Sequence, residues 1–167
     1  SSFTPIWKPD FIDDYVAEDR CHLNELAADE GGNPRYVTIV SDTNVVEGWR
    51  EHRNGGGMVI DIVTNKVICA DLSMPHSPRF YKNKLWLLNA GTGEFGYVDQ
   101  SENSFVPIAF CPGFLRGLSF SGDYDAGWKY RTEESAVYHR YFIQFPQVSA
   151  LQFGQKIVGI SGLELVK

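Results

Sequence analysis

The chain has 167 residues, of which 43% are hydrophobic and 14% aromatic, and a formal net charge of −6. That length suits one domain with a sizeable core, and the composition lies far from the polar, highly charged make-up of disordered chains. A negative charge without any cluster of Lys and Arg argues against binding to a nucleic-acid backbone, and no apolar run approaches the roughly 20 residues needed to span a bilayer.

In chain order, residues 1–18 are acidic, carry Pro5 and Pro9, and read as an extended arm. They lack the basic region and apolar segment of a signal peptide. Residues 19–167 read as a single β domain, because segments rich in β-branched and aromatic residues recur along them: PRYVTIVSD, GGMVIDIVTN, KVICADL, KLWLLNAG, EFGYVD, FVPIAF, FLRGLSF and KIVGIS. Turn sequences such as TNK, GTGE, QSENS and SGD separate them, the pattern of a train of short strands. One stretch departs from it. Residues 43–54, TNVVEGWREHRN, read as a short helix or an ordered insertion, ended by Gly55, Gly56 and Gly57. Cys21, Cys69 and Cys111 are widely spaced and form no CxxC pair, so they read as buried reduced thiols rather than as a disulfide framework or zinc site. A reducing, cytoplasmic location follows as the expectation.

The strands repeat. HLNELAADEGGNPRYVTIVS, HSPRFYKNKLWLLNAG and RGLSFSGDYDAGWKY superimpose with His22, His76 and Arg116 at one position, 54 and 40 residues apart, and a weaker fourth copy begins at SALQFGQKIVGISG. Each copy runs as a first strand, a tight turn and a second apolar strand, followed where complete by two more. Four-stranded units at this spacing are the mark of propeller blades. The fold class expected is therefore all-β and β-propeller-like, with about three four-stranded blades plus part of a fourth; a β-sandwich with accidental self-similarity is the alternative. Propellers have roughly 4 to 8 blades, so the chain closes as a minimal propeller, is a fragment, or completes its circle with another subunit.

The strings RCHLNELA, NPRYVTIVS, VVEGWREHRNGGGMVIDI, LSMPHSPRFYKNKLWLLNAGTGEFGYVD and AFCPGFLRGLSFSGDY together resemble an uncharacterised, mainly bacterial family of hypothetical proteins, a domain of unknown function. Its hallmark segments are SMPHSPR, LWLLNSGTGE and AFCPGFLRGLAF. The resemblance runs from about Arg20 to Tyr124 and implies a propeller-like fold in proteins longer than this chain. After Tyr124 the family pattern continues into an apolar strand of the VVGLS type, whereas here DAGWKYRTEESAVYHRYFIQFPQ intervenes; the ending from Ala126 to Lys167 reads as divergent or truncated.

The first strand of a propeller blade is innermost. On the repeat alignment His22, His76 and Arg116 ring one level of an axial channel, with Asn24, Arg79 and Asn89 close in sequence. Such a cationic pocket suits a carboxylate, phosphate or sulfate. Each residue also has a plainer reading: His76 lies between Pro75 and Pro78 in an extended entry to a strand, and Arg79 and Arg116 are of the kind that brace neighbouring blades. His22 and Cys21 are adjacent on a strand and point to opposite faces, which argues against a shared metal; no metal site and no cofactor are expected. NAGTGEFG lacks the lysine and helix of a phosphate loop and reads as a turn, Glu94 within it is a carboxylate without a visible partner, and no GxSxG or HExxH motif occurs. Asp61, Asp71 and Asp99 read as turn caps. Trp86 reads as packed between blades. Trp49, with Arg50, His52 and Arg53, reads as a contact surface for a partner, a lid over the channel mouth, or a helix packed on the blade edge.

Two classes of function fit these features. One is a binding or scaffolding module acting through protein–protein contacts with a partner or a second copy, favoured by an open array whose strand edges need cover. The other is a small-molecule-binding protein or an enzyme of hydrolase or lyase type, acting on an anionic ligand with a histidine as base and an arginine as electrostatic stabiliser.

Overall fold

The computed structural model describes residues 4–121 and the backbone of strands 124–132, 135–144, 157–160 and 163–166. The chain is all-β. Strands β1 (Leu23–Ala28), β2 (Pro34–Ile39), β3 (Gly57–Asp61) and β4 (Lys66–Leu72) form a first antiparallel sheet in sequence order. Strands β5 (Pro75–Tyr81), β6 (Lys84–Asn89), β7 (Glu94–Asp99) and β8 (Ser104–Phe110) form a second in the same way. The third contains β9 (Phe114–Ser121), β10 (Tyr124–Thr132) and β11 (Ser135–Gln144), and continues through β13 (Leu163–Val166) to β12 (Ile157–Ile160). The fourth copy expected from Ser149 onward therefore does not open a sheet of its own in its described part. Leu163–Val166 pairs with β11 instead, satisfying backbone groups that an edge strand would leave unpaired; residues 145–156 lie outside the described residues. Among the described residues no helix is long and apolar enough to cross a membrane.

Local chemistry sets the connections. Lys82 and Asn83 both have left-handed φ (47° and 59°), the geometry of the two-residue loop that matches the twist of a hairpin. NAGTGEFG joins β6 to β7 as a turn, with Thr92 N–H donating to the Asn89 carbonyl at 3.2 Å. Asp61 and Asp99 accept the N–H groups of Val63 and Ser101, both at 2.9 Å, so these two carboxylates do cap turns.

The LWLL run of β6 is buried throughout because both faces of the second sheet are covered. Leu85 and Leu87 point into a cluster with Tyr36, Val59, Cys69 and Leu72 of the first sheet, while Trp86 and Leu88 point into one with Cys111, Leu115 and Leu118 on the other side. Period-2 alternation thus yields two dry layers from one strand. Trp86 stacks on Phe95 (ring centroids 5.3 Å apart) and meets Phe120 of β9 at 5.8 Å. A third cluster, Cys21, Val37, Ile39 and Ile60, covers the far face of the first sheet, and Trp7, Phe11 and Ile12 of the N-terminal arm pack on it. The arm is held in place by the Trp7 indole, which donates to Asn65 Oδ1 at 3.0 Å, and by Arg20, which pairs with Asp13 and Glu18. All three cysteines are buried, and burial pushes the Cys69 thiol up to about 11.

The insertion forms a short 3-10 helix, Gly48–His52, that turns Trp49 inward against Val40, Met74 and Phe114. Close by, the first strands meet: β5 lies against both β1 and β9.

Leu85 and Leu88 are both 0% exposed and serve different layers. Leu85→Ala and Leu88→Ala are each expected to lower stability by about 2–5 kcal/mol. With no shared partner, the double variant should equal the sum to within about 0.5 kcal/mol in urea unfolding.

Candidate functional site

The meeting point of β1, β5 and β9 is irregular in the same place on each strand. Register shifts fall between Leu23 and Glu25 on β1, between His76 and Arg79 on β5, and opposite Trp128 and Lys129 on β9, where Gly117 is left over. Such bulges bend a strand and re-aim its side chains. On β5 and β9 the extra residue is left-handed: Ser77 at φ 55° and Gly117 at φ 70°. Glycine takes that conformation freely and serine does not, so Ser77 holds a strained backbone that its contacts must justify.

Those contacts join all three strands. Ser77 donates its hydroxyl to Glu25 Oε1 at 2.9 Å and its N–H to the same oxygen at 3.2 Å. Gly117 N–H donates to the Ser77 hydroxyl at 3.0 Å. Asn24 Nδ2 adds a bond to the Pro75 carbonyl at 2.7 Å. Fully buried, Ser77 is the centre of a β1–β5–β9 tie made of side chains.

Around it the charged residues gather. Glu25 Oε2 lies 3.4 Å from Arg79 Nη1, and Oε1 lies 3.7 Å from His76 Nδ1. Burial pushes the Glu25 carboxyl up, but His76, the Ser77 hydrogen bonds and the Arg79 charge outweigh it and hold the group at about 2. His76 is 6% exposed, and its edge meets the Phe114 ring at 6.2 Å. Desolvation lowers its basicity below the ordinary value, and the nearby Arg116 and His22 act in the same direction, against Glu25. Arg116 lies over the Phe114 ring at 4.1 Å and donates to the Leu115 carbonyl at 3.0 Å; burial brings its guanidinium down to about 10. His22 Nδ1 donates to Asp19 Oδ2 at 2.7 Å, and its ring stacks on Trp49 at 4.1 Å.

Of the residues singled out from the repeat, His22 and Arg116 each lie within electrostatic reach of His76, and Arg79 is joined to it through Glu25. Asn24 is close as well, but its amide is committed to Pro75. Trp49 is 6% exposed and faces His22, so its ring is under the insertion rather than on a contact surface. Arg50, stacked over Trp49 at 4.6 Å, and His52 and Arg53 are the exposed members of that group. Asn89 and Glu94 stand apart: Asn89 accepts the Ser73 N–H at 2.7 Å and donates to Glu94 at 3.2 Å, a turn-building role. Glu25 and Ser77 were not apparent as site residues in the sequence; the signal that could have found them is their place one to three residues after His22 and His76 in aligned first strands. Two open grooves reach the cluster, one of about 560 Å³ bounded by Glu25, Leu26, Asp29, Arg79 and Phe80, and one of about 550 Å³ where His22 and Cys21 face Trp7, Ile12 and Tyr15. Among the described residues no three His, Cys, Asp or Glu side chains are grouped to hold a metal ion.

The carboxyl of Glu25 titrates near its ordinary 4.5 in the unfolded chain and at about 2 in the folded one. Its contribution to stability is therefore complete above pH 4.5 and lost as the pH falls toward 2. The lowered His76 adds a loss of the same sign that begins near its ordinary 6.5, because the unfolded chain takes up that proton first. Urea midpoints of the wild type and of Glu25→Gln should differ most at neutral pH and converge as the pH is lowered from 4.5 toward 2; a constant gap would contradict this.

No curated protein matches the chain. A family model described as "Domain of unknown function (DUF4915)" matches residues 1–161. With its three first strands tied through Ser77 and its His and Arg side chains gathered around Glu25, the chain belongs to that family of unknown function.

Proposed function

We propose that the chain is a propeller-like module that binds a small carboxylate where its first strands meet. The observation that carries this is an uncompensated cation beside an unpartnered imidazole. Glu25 faces His76 and Arg79, and Asp19 faces His22. Among the described residues no carboxylate lies within ion-pair distance of Arg116, and the buried Nε2 of His76 has no hydrogen-bond partner. A half-buried guanidinium without a counter-ion is costly, and a ligand anion relieves that cost. The single Arg116 guanidinium fits a monoanionic carboxylate better than a phosphate, which would bring a second negative charge close to Glu25.

The propeller-like arrangement is supported by apolar clusters on both faces of the middle sheet; a two-layer sandwich leaves each sheet one wet face. It is also supported by bulges at matching places on the innermost strands. In this reading the insertion caps the site through Trp49.

Calorimetry with propionate and with inorganic phosphate at fixed ionic strength tests the site. Propionate should bind, phosphate should bind no more tightly, and Arg116→Gln should weaken propionate by at least about tenfold, the worth of a charge-assisted hydrogen bond. Unchanged propionate affinity in Arg116→Gln would overturn the reading.

A second reading, a binding or scaffolding module acting through protein contacts, is favoured by Val45 and Val46, which are 66% and 52% exposed on the insertion beside Arg50, His52 and Arg53. If that surface joins two copies, light scattering should give twice the mass of one chain, and Val45→Asp with Val46→Asp should return the single-chain mass while leaving carboxylate binding intact. A single-chain mass for the wild type at all concentrations excludes self-association.

A further inference from the structure

Four buried side-chain atoms lack a hydrogen-bond partner among the described residues: Thr38 Oγ1, Ser41 Oγ, Trp49 Nε1 and His76 Nε2. Two of them belong to the candidate site. Buried polar groups are nearly always paired, and a buried indole N–H nearly always finds an acceptor. Trp49 and His76 are both more than nine-tenths buried, and Phe114 packs against both, as a member of the Trp49 cluster and as the edge partner of His76. His22 joins them from another side, stacked on Trp49 and close enough to influence His76.

The chemistry of each atom is fixed. Indole Nε1–H is a donor only. His76 turns Nδ1 toward the Glu25 carboxylate at 3.7 Å; a lone pair facing that charge is repelled, so the ring proton resides on Nδ1 and Nε2 presents its lone pair. Nε2 is then an acceptor. Around Phe114, which packs against Trp49, meets His76 and lies under Arg116, there are thus one donor and one acceptor, both out of water.

We infer that the ligand is a 2-hydroxy acid: its carboxylate pairs with Arg116, and its hydroxyl donates to His76 Nε2 while accepting from Trp49 Nε1. This rests on the carboxylate reading given above and extends it. A hydroxyl is the small group that both donates and accepts. A 2-oxo acid offers no donor to Nε2, a 2-amino acid with its ammonium offers no acceptor to the indole, and the unsubstituted acid offers neither. Each leaves a buried polar group unpaired, and sites built around a substrate hydroxyl reject analogues lacking it far more strongly than apolar pockets reject a missing methylene.

Calorimetry with lactate, propionate, pyruvate and alanine on the whole chain tests the assignment. Lactate should bind at least about tenfold more tightly than the other three. Trp49→Phe, which keeps an aromatic ring against His22 and removes the N–H, should narrow the lactate-to-propionate ratio to below about threefold while propionate binding stays dependent on Arg116. If lactate and propionate bind equally to the wild type, and both lose affinity in Arg116→Gln, the hydroxyl assignment is overturned and the carboxylate site stands. If none of the four binds, the carboxylate site is overturned and this inference with it. If the lactate preference is undiminished in Trp49→Phe, Trp49 is not the donor. The wild-type comparison stands alone should that variant fail to fold.

Discussion

Among the described residues no ladder of paired strands joins one of the three sheets to another, so the way their first strands meet depends on the hydroxyl of Ser77. It reaches Glu25 on one side and takes the Gly117 N–H from the other. Its left-handed backbone is the local cost. That strain places a hydroxyl where three strands converge, and the Glu25 carboxylate it holds in turn orders His76 and Arg79. Remove the tie and apolar layers still attract the sheets, and Asn24 and Arg79 still join β1 to β5, but the hydrogen bond from Gly117 of β9 is lost. Dry contact supplies most of the cohesion; the hydrogen bonds supply the geometry.

The electrostatic pattern follows from this arrangement. Glu25 is an anion surrounded by donors, which keeps it ionised, whereas His76 is buried beside other positive groups and stays neutral. The opposite tendencies come from one environment acting on groups of opposite charge type. Arg116 is left with an aromatic face and a backbone carbonyl in place of a carboxylate. A chain with a net charge of −6 thus holds, among its described residues, a part-buried guanidinium with no carboxylate at ion-pair distance.

Much of the architecture was legible in the residues. β-branched and aromatic runs between turn sequences located the strands, and the His22–His76–Arg116 alignment drew attention to the first strands, where the structure sets His22 and Arg116 near His76. The all-β class follows from period-2 alternation, and Trp86 between two sheets follows from a run too apolar for a strand with one wet face. Other features depend on tertiary structure. Glu25 looks like any charged strand residue until the bulge beside it turns it toward Ser77. Trp49, in a segment crowded with charge, reads as a contact surface, a lid or part of a packed helix until Val40, Met74 and Phe114 are seen to make a pocket for it. The fourth repeat was misleading for a related reason: strand-forming residues specify a strand, while the edge that receives it is decided by which backbone groups remain unpaired.

The cysteines acquire a use from where they lie. Cys69 belongs to the layer between the first and second sheets, Cys111 to the layer between the second and third, and Cys21 to the layer beneath the N-terminal arm. The two inter-sheet layers therefore each carry a thiol out of reach of a water-borne alkylating reagent while the layer is closed, whereas Cys21 also borders the groove under the arm. The order in which the three react as the chain breathes would rank the layers by their opening free energies, so the protein contains a built-in reporter for the sequence in which its sheets come apart.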